Sequence, residues 1–327
     1  MRLGWRWCLG HRHVARGFAA RCGPLCLCGA RRCPSVSDQT RARIHPPSVP
    51  PAQQEASPDA AAPSPLELRN RQLARASVDS AQVILMDRYR LRSPEDAFTL
   101  LRSASQHFNI KLHTVAELVA RIAGPDIQDG LWFPRRPRTA APALPGLGVA
   151  RDGQQSHSAV LKAGLHRVLH ITDTGMGNVQ LVGNGMLRLE KHTGLNREFT
   201  DFFAFVHDAG TACAQAARQR QQVTVKNVES ADVFDEDSRH AILQAGSRAA
   251  HSLPLIGRAG QVLGIISSHH EKTLRGFSQT QLTALAATGA AVGRWLHWHR
   301  QTVVLDALEH LHAQATGTNG KGPDRPQ

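Results

Sequence analysis

The stretch AQVILMDRYRLRSPEDAFTLLRSAS, residues Ala81–Ser105, decides how the first half of this chain is read. Its opening residues complete a stripe in which Ala74, Val78, Ala81 and Leu85 recur at spacings of four, three and four, the period of one helix face. Upstream, Ser64-Pro65-Leu66-Glu67 starts that helix: Ser caps, Pro at the first helical position forfeits no needed donor, and Glu three residues on completes a capping box. The helix is expected to run to about Tyr89. Ser93-Pro94-Glu95-Asp96 repeats the start signal and opens a second helix with Ala97, Leu100, Leu101 and Ala104 on one face. Asn109, tolerant of a left-handed backbone, closes it. A third helix is expected from about Leu112 to Ile122, with Val115, Ala116, Val119 and Ile122 inward, stopped by Gly124-Pro125. Residues 64–124 thus read as a three-helix bundle. The first helix is long for such a module, so its first half is expected to pair with a second chain.

Basic and amide side chains gather around the turns of this bundle: Arg88, Arg90, Arg92, Arg102, Gln106, Asn109 and Lys111. Guanidinium forks and amides hydrogen-bond the phosphates and base edges of unpaired nucleotides. From spacing alone a solvated polar face is the alternative.

The quoted run, continued by Asn109-Ile-Lys-Leu112 and Val115-Ala116, resembles the ANTAR domain, a family of transcription antitermination regulators. The resemblance covers most of the helical module and implies binding to paired small hairpins in nascent RNA, which keeps a terminator from forming. It also implies that Ala81, Arg102, Ser105, Asn109 and Lys111 lie at or near the RNA-binding surface. The chain departs from the family at Val83, where members carry Gly. A β-branched side chain there hinders close approach of the helix backbone and is expected to alter the fit.

Residues 125–154 form a Pro- and Gly-rich connector, and residues 155–300 a second domain. A helix carrying Val160, Leu161, Leu165 and Val168 leads to strands around Asn178–Val182 and Met186–Leu189, turned by Gly183-Asn184-Gly185. Asn196–Val206, bearing Phe199, Phe202 and Phe203, is expected to be helical. Ser252–Ile256 and Gln261–Ser267 form a hairpin, and a last helix starts at Ser278 with Leu282, Leu285, Gly289, Val292 and Leu296 along one stripe. Gly289 within that stripe marks a close approach to a neighbour. The expected fold is α plus α+β: the small helical bundle, then an antiparallel sheet flanked by helices. The runs SLPLI at 252–256, GQVLGIIS at 260–267 and Gly276-Phe-Ser resemble a GAF domain, which implies a sensor of an unknown small ligand or signalling partner. In the family the sensor more usually precedes the ANTAR module; here the order is reversed. Residues 301–327 are expected to be a helical end and a disordered tail.

The charge balance decides less. Lys and Arg number 39 against 26 Asp and Glu, a net charge of +13. Within residues 1–60, nine Arg against Asp38, Glu55 and Asp59 supply almost half of it, so the bundle's own excess is modest. Residues 1–63 read as a disordered basic, Cys-rich leader followed by a Pro/Ala linker. Its cysteines, Cys22-x3-Cys26-x-Cys28-x4-Cys33, lack the paired spacing of structural zinc sites. In a bacterial gene, translation beginning near Val36 or Val49 is the alternative reading of this leader.

No run of 18 apolar residues exists, which excludes a helix that spans a membrane. His166, His170, His207, His240, His251, His269 and His270 read as surface or internally bonded histidines, and Cys213 as a buried thiol. The acidic run Asp232, Asp235, Glu236, Asp237 reads as a helix start. No P-loop, zinc-hydrolase motif or nucleophile–base pair is found, so neither enzyme activity, a metal nor a cofactor is expected. The reading is a cytoplasmic RNA-binding regulator, homodimeric through the first helix. Its RNA contacts are expected at Ala81, Arg88, Arg102, Ser105, Gln106, Asn109 and Lys111, under control of the sensor. The alternative is a dimeric sensor in which the helices only dimerise.

Overall fold

A computed structural model describes residues 63–126, 130–134, 136, 138–149, 155–207 and 210–317. The expectations for the leader fall outside these residues. The first three helices are α1 (Pro65–Tyr89), α2 (Pro94–His107) and α3 (Leu112–Arg121). Both expected capping boxes form. Ser64 Oγ accepts from the Glu67 N–H at 3.2 Å while Glu67 accepts from the Ser64 N–H at 3.0 Å, and Ser93 and Asp96 repeat the exchange. Arg90 ends α1 at φ 54°, and Asn109 turns the chain after α2 at φ 51°, the left-handed conformation expected of it.

The second domain comprises α4 (His157–Thr172), β1 (Met176–Gly183), β2 (Met186–Thr193), α5 (Arg197–Phe202), β3 (Phe205–Val206), α6 (Ala212–Gln219), β4 (Val223–Val225), α7 (Glu236–Gln244), β5 (Ala249–Ile256), β6 (Val262–His270) and α8 (Gln279–Gln301). Six antiparallel strands run in the order β3-β2-β1-β6-β5-β4. Asn184 and Gly185, both at positive φ, make the tight β1–β2 turn. Alternation sorts the side chains. Val179, Leu181, Leu253 and Leu255 join the core under α4 and α8, while Ile265, Val225 and Leu187 join a second core under α5, α6 and α7. Both faces are therefore covered, in the GAF fold.

Two glycines let α8 lie against the sheet. A Cβ at Gly289 would stand 2.8 Å from the Pro254 carbonyl oxygen, and one at Gly293 would collide with the Ile256 backbone. Asp235 caps α7, accepting from the Ser238 N–H at 2.8 Å, with Glu236 and Asp237 in the first turn, as the acidic run implied. One element differs from expectation: Phe205–Val206 leaves the helical segment and pairs with Leu187 and Arg188 as an edge strand.

The larger difference lies at the C-terminal side. A ninth helix, α9 (Val303–Ala315), follows α8 after a break at Thr302, whose backbone sits at φ −121°, ψ −78°. This helix returns to the bundle. Val304, Leu308 and Leu311 are fully buried with Leu85, Leu101, Ala104 and Val119 in one core. The bundle thus has four helices, the fourth coming from the residues expected to be an end and a tail; residues 318–327 lie outside those described.

The connector is also built in. Glu309 of α9 accepts the Trp132 and Phe133 backbone N–H groups at 2.8 and 2.6 Å, and Trp132 is buried in the bundle core. Arg136 pairs with Asp306 and donates to the Thr302 carbonyl. Leu144 and Leu147 then pack on the sheet-side core. Finally, the first half of α1 finds a partner within its own chain: Asn70 donates to the Asp201 carbonyl at 2.7 Å, and Glu67 pairs with Arg197 at 2.8 Å, both on the α5 segment.

Candidate nucleic-acid interface and sensor cavities

Helical spacing brings three of the sequence-identified residues together. Arg102 and Gln106 stand one helical turn apart on α2, Asn109 follows in the turn just beyond it, and all three are exposed. Lys111 is the N-cap residue of α3, just beyond. Ser105 lies beneath them, its hydroxyl donating to the Ile110 carbonyl at 2.6 Å, which fixes the turn between α2 and α3. Beside this surface the His107 ring stacks on His310 of α9, with centroids 4.5 Å apart and planes 10° from parallel. His310 belongs to the same patch although the whole second domain separates it from α2 along the chain.

The other two residues lie elsewhere. Ala81 is fully buried in the bundle core and reaches no solvent. The resemblance implied a place at or near the RNA-binding surface; the helical stripe buries its side chain, so any role there is indirect. Arg88 turns into the connector, with its guanidinium 5.0 Å from the Trp132 ring and Gly124 packed against it. Val83, where the resemblance has Gly, is 67% exposed on α1.

Lys111 carries the most informative contact. Its ammonium is bonded to Glu190 of β2, and His113 Nε2 lies 3.2 Å from the other oxygen of the same carboxylate. Glu190's side chain is 2% exposed. Burial by itself would raise its pKa; the hydrogen bonds from His113 and Lys111 overcome that and hold it at about 2. Glu190 is thus an ionised, almost buried carboxylate joining the bundle to the sheet. Sequence reading missed it, because the strand's alternation puts Glu190 on the same face as Arg188, a face that reads as solvent.

Several cavities border the sheet among the described residues. The one under α5–α7 is lined by Asn178, Gln180, Ser252, Ser267 and His269, with Phe199 and Cys213, and holds about 30 Å³, room for little more than a water. His269 is bonded to Ser247 and Asn178, and burial lowers its pKa to about 3. His251, bonded to Thr224 and Gln222, is lowered to about 4 for the same reason. Burial pushes the Cys213 thiol up. These groups are neutral and internally satisfied, as structural residues should be. Another cavity, about 510 Å³, lies between the bundle and the sheet. Among the described residues no group of three or more His, Cys, Asp or Glu side chains is placed to hold a metal ion, and no helix is long and apolar enough to cross a membrane.

Family models match this chain in two places: an ANTAR domain over residues 66–119 and a GAF domain over residues 154–297. No curated protein matches it. Among solved structures, similarity is found to a GAF domain/HD domain protein from Geobacter sulfurreducens, at 17% identity and TM-score 0.38, covering 44% of this chain and 92% of that one. The GAF domain of an Acinetobacter phosphoenolpyruvate-protein phosphotransferase is similar at 16% identity and TM-score 0.34, covering 49% and 85%. A type II free methionine-R-sulfoxide reductase from Thermoplasma acidophilum is similar at 13% identity and TM-score 0.34, covering 43% and 93%.

Proposed function

We propose that this chain, in which an ANTAR domain precedes a GAF domain, is an RNA-binding antitermination regulator controlled by its own sensor. The bundle would hold hairpins of nascent RNA through Arg102, Gln106, Asn109 and Lys111, and so exclude terminator pairing. The observation that carries the control is the Lys111–Glu190 bond: a residue expected to meet RNA phosphate is held by a carboxylate of the sensor sheet. An RNA-free state with this bond closed and an RNA-bound state with it open differ by one charge pair. A sensor ligand acts by binding those two states with different affinity. The reading assigns the chain a cytoplasmic place and no enzymatic step.

Homodimerisation through α1 is part of the proposal. Leu68 and Val83 are its exposed large apolar side chains, 53% and 67% open to solvent. Their separation along the helix puts them about 60° apart around its axis. This same exposure favours the second reading, in which the helices serve dimerisation alone.

A gel-shift titration of the full chain on a two-hairpin RNA from its own operon region separates the two readings. It is run at two salt concentrations, because phosphate contacts make affinity fall with salt. Selective binding that weakens in both Arg102→Ala and Lys111→Ala supports antitermination. Binding to any RNA regardless of either substitution, or none at all, leaves the bundle as a dimerisation element.

A further inference from the structure

The cavity between bundle and sheet is built from six elements: α3, the connector, α4, the β1–β2 hairpin, α8 and α9. Its volume of about 510 Å³ falls in the range of small-molecule sites, whereas the cavity under α5–α7 has room for little more than a water. One wall is apolar, made by Leu118, Ile122, Phe133, Leu296 and Leu305. The lining also carries three guanidiniums, of Arg121, Arg188 and Arg300. Among the described residues none of the three is in an ion pair. Arg300 donates to the Val182 carbonyl at 2.9 Å, and Arg188 lies 5.2 Å over the Phe205 ring.

Two carboxyls line the space. Glu190 is already committed to Lys111 and His113, which leaves Glu117 alone to face three cations. Burial raises the pKa of Glu117 against the pull of His113, Arg188, Arg121 and Arg300, and even fully ionised it sets one negative charge against three guanidiniums. Positive charge in a cleft with low-dielectric walls concentrates anions, and the guanidinium fork matches the geometry of carboxylate and phosphate oxygens. We propose that this cavity binds a small organic anion, a carboxylate or phosphate borne on a flat apolar body, with its charge on Arg121 and Arg188 and its body against Leu118, Phe133 and Leu305.

This deepens the sensor reading by giving the ligand a chemical class and a place between bundle and sheet, and it rests on that reading only for its regulatory consequence. The site touches α3 and β2, the two elements that Lys111 and Glu190 join. An occupant is therefore placed to change that junction.

The test needs no RNA, so its failure is distinct from a failure of RNA binding. Calorimetric titrations of the full chain use benzoate, phenyl phosphate, neutral benzamide and cationic benzylamine. The acids should bind, with the two neutral or cationic analogues about tenfold weaker or worse, as expected when charge-assisted bonds are lost. Whichever acid binds more tightly separates a carboxylate from a phosphate ligand. Arg121→Gln and Arg188→Gln should each weaken the acids about tenfold, while Arg258→Gln, exposed in the β5–β6 turn, should leave them unchanged. Benzamide binding as tightly as benzoate, no acid binding at all, or full affinity in both arginine variants overturns the proposal. The analogue series on the unaltered chain decides the charge preference even where a substitution lowers the melting temperature.

Discussion

Replacing Glu190 by Gln tests the junction most directly, and the structure fixes the size of the effect. The carboxylate's pKa stands at about 2 against an ordinary 4.5. At 1.36 kcal/mol per unit, this corresponds to about 3 kcal/mol of stabilisation of the folded chain. Lys111's side chain is 46% exposed, and solvent screening reduces the figure to roughly 2 kcal/mol. The sign follows from the depressed pKa: the contribution is complete above about pH 4.5 and disappears as the pH falls toward 2. E190Q keeps a hydrogen-bond acceptor and loses the charge, so it should lower unfolding stability by about 2 kcal/mol at neutral pH. If the same bond withholds Lys111 from RNA, its loss raises RNA affinity by at most about 30-fold, the factor equivalent to 2 kcal/mol. Urea unfolding and RNA gel shifts on the full chain measure the two effects, and adding Lys111→Ala should abolish the gain. A destabilised E190Q with unchanged RNA affinity would refute the reasoning, because the bond would then be structural and nothing more.

Three further outcomes are expected. Leu308→Ala on α9 should cost about 2–5 kcal/mol and loosen the four-helix bundle, read as earlier urea unfolding and faster amide exchange in α1–α3. Wild-type exchange rates in α1–α3 would show that α9 does not hold the bundle. Gly289→Ala should destabilise by about 1–3 kcal/mol despite Ala's better helix propensity, because the new methyl meets the Pro254 carbonyl; a gain in denaturant midpoint would show that α8 has room to shift. His251, His269 and His299 have folded pKa values of about 4, 3 and 3, against 6.5 for the ordinary side chain. The unfolded chain therefore binds more protons below pH 6.5, and each histidine should remove about 2 kcal/mol of stability between pH 7 and pH 5. Urea midpoints unchanged over that range would contradict the burial that neutralises them.

What the sequence disclosed and what it concealed divide along physical lines. Local signals were legible: the capping residues Ser64, Ser93 and Ser278 and the left-handed Asn109 depend on neighbours in the chain, and Gly289 showed itself as a gap in an apolar stripe. The helical character of α9 was equally visible, since Val304, Leu308 and Leu311 recur at four and three. Its partner was not, because an apolar stripe states that it will be buried without stating where. Ala81 carries two signals: the stripe placed its side chain inside, where it is found, and the family resemblance placed it at or near the RNA-binding surface. Glu190 and the junction cavity escaped because they exist only where separate elements meet. No spacing within β2 or α3 announces that a carboxylate on one will receive a lysine from the other.

The return of α9 to the bundle also sets an order of events. During synthesis α1, α2 and α3 leave the ribosome first, yet the wall that completes their core begins only at Val303, after the entire second domain. The bundle must wait, with Leu101 and Val119 uncovered, until the whole sensor has been translated. Closing so long a loop is slow compared with helix formation, and it leaves apolar surface open to chaperones meanwhile. A chain cut short anywhere in the second domain would lack the fourth helix, so no bundle is completed without the sheet domain that precedes α9.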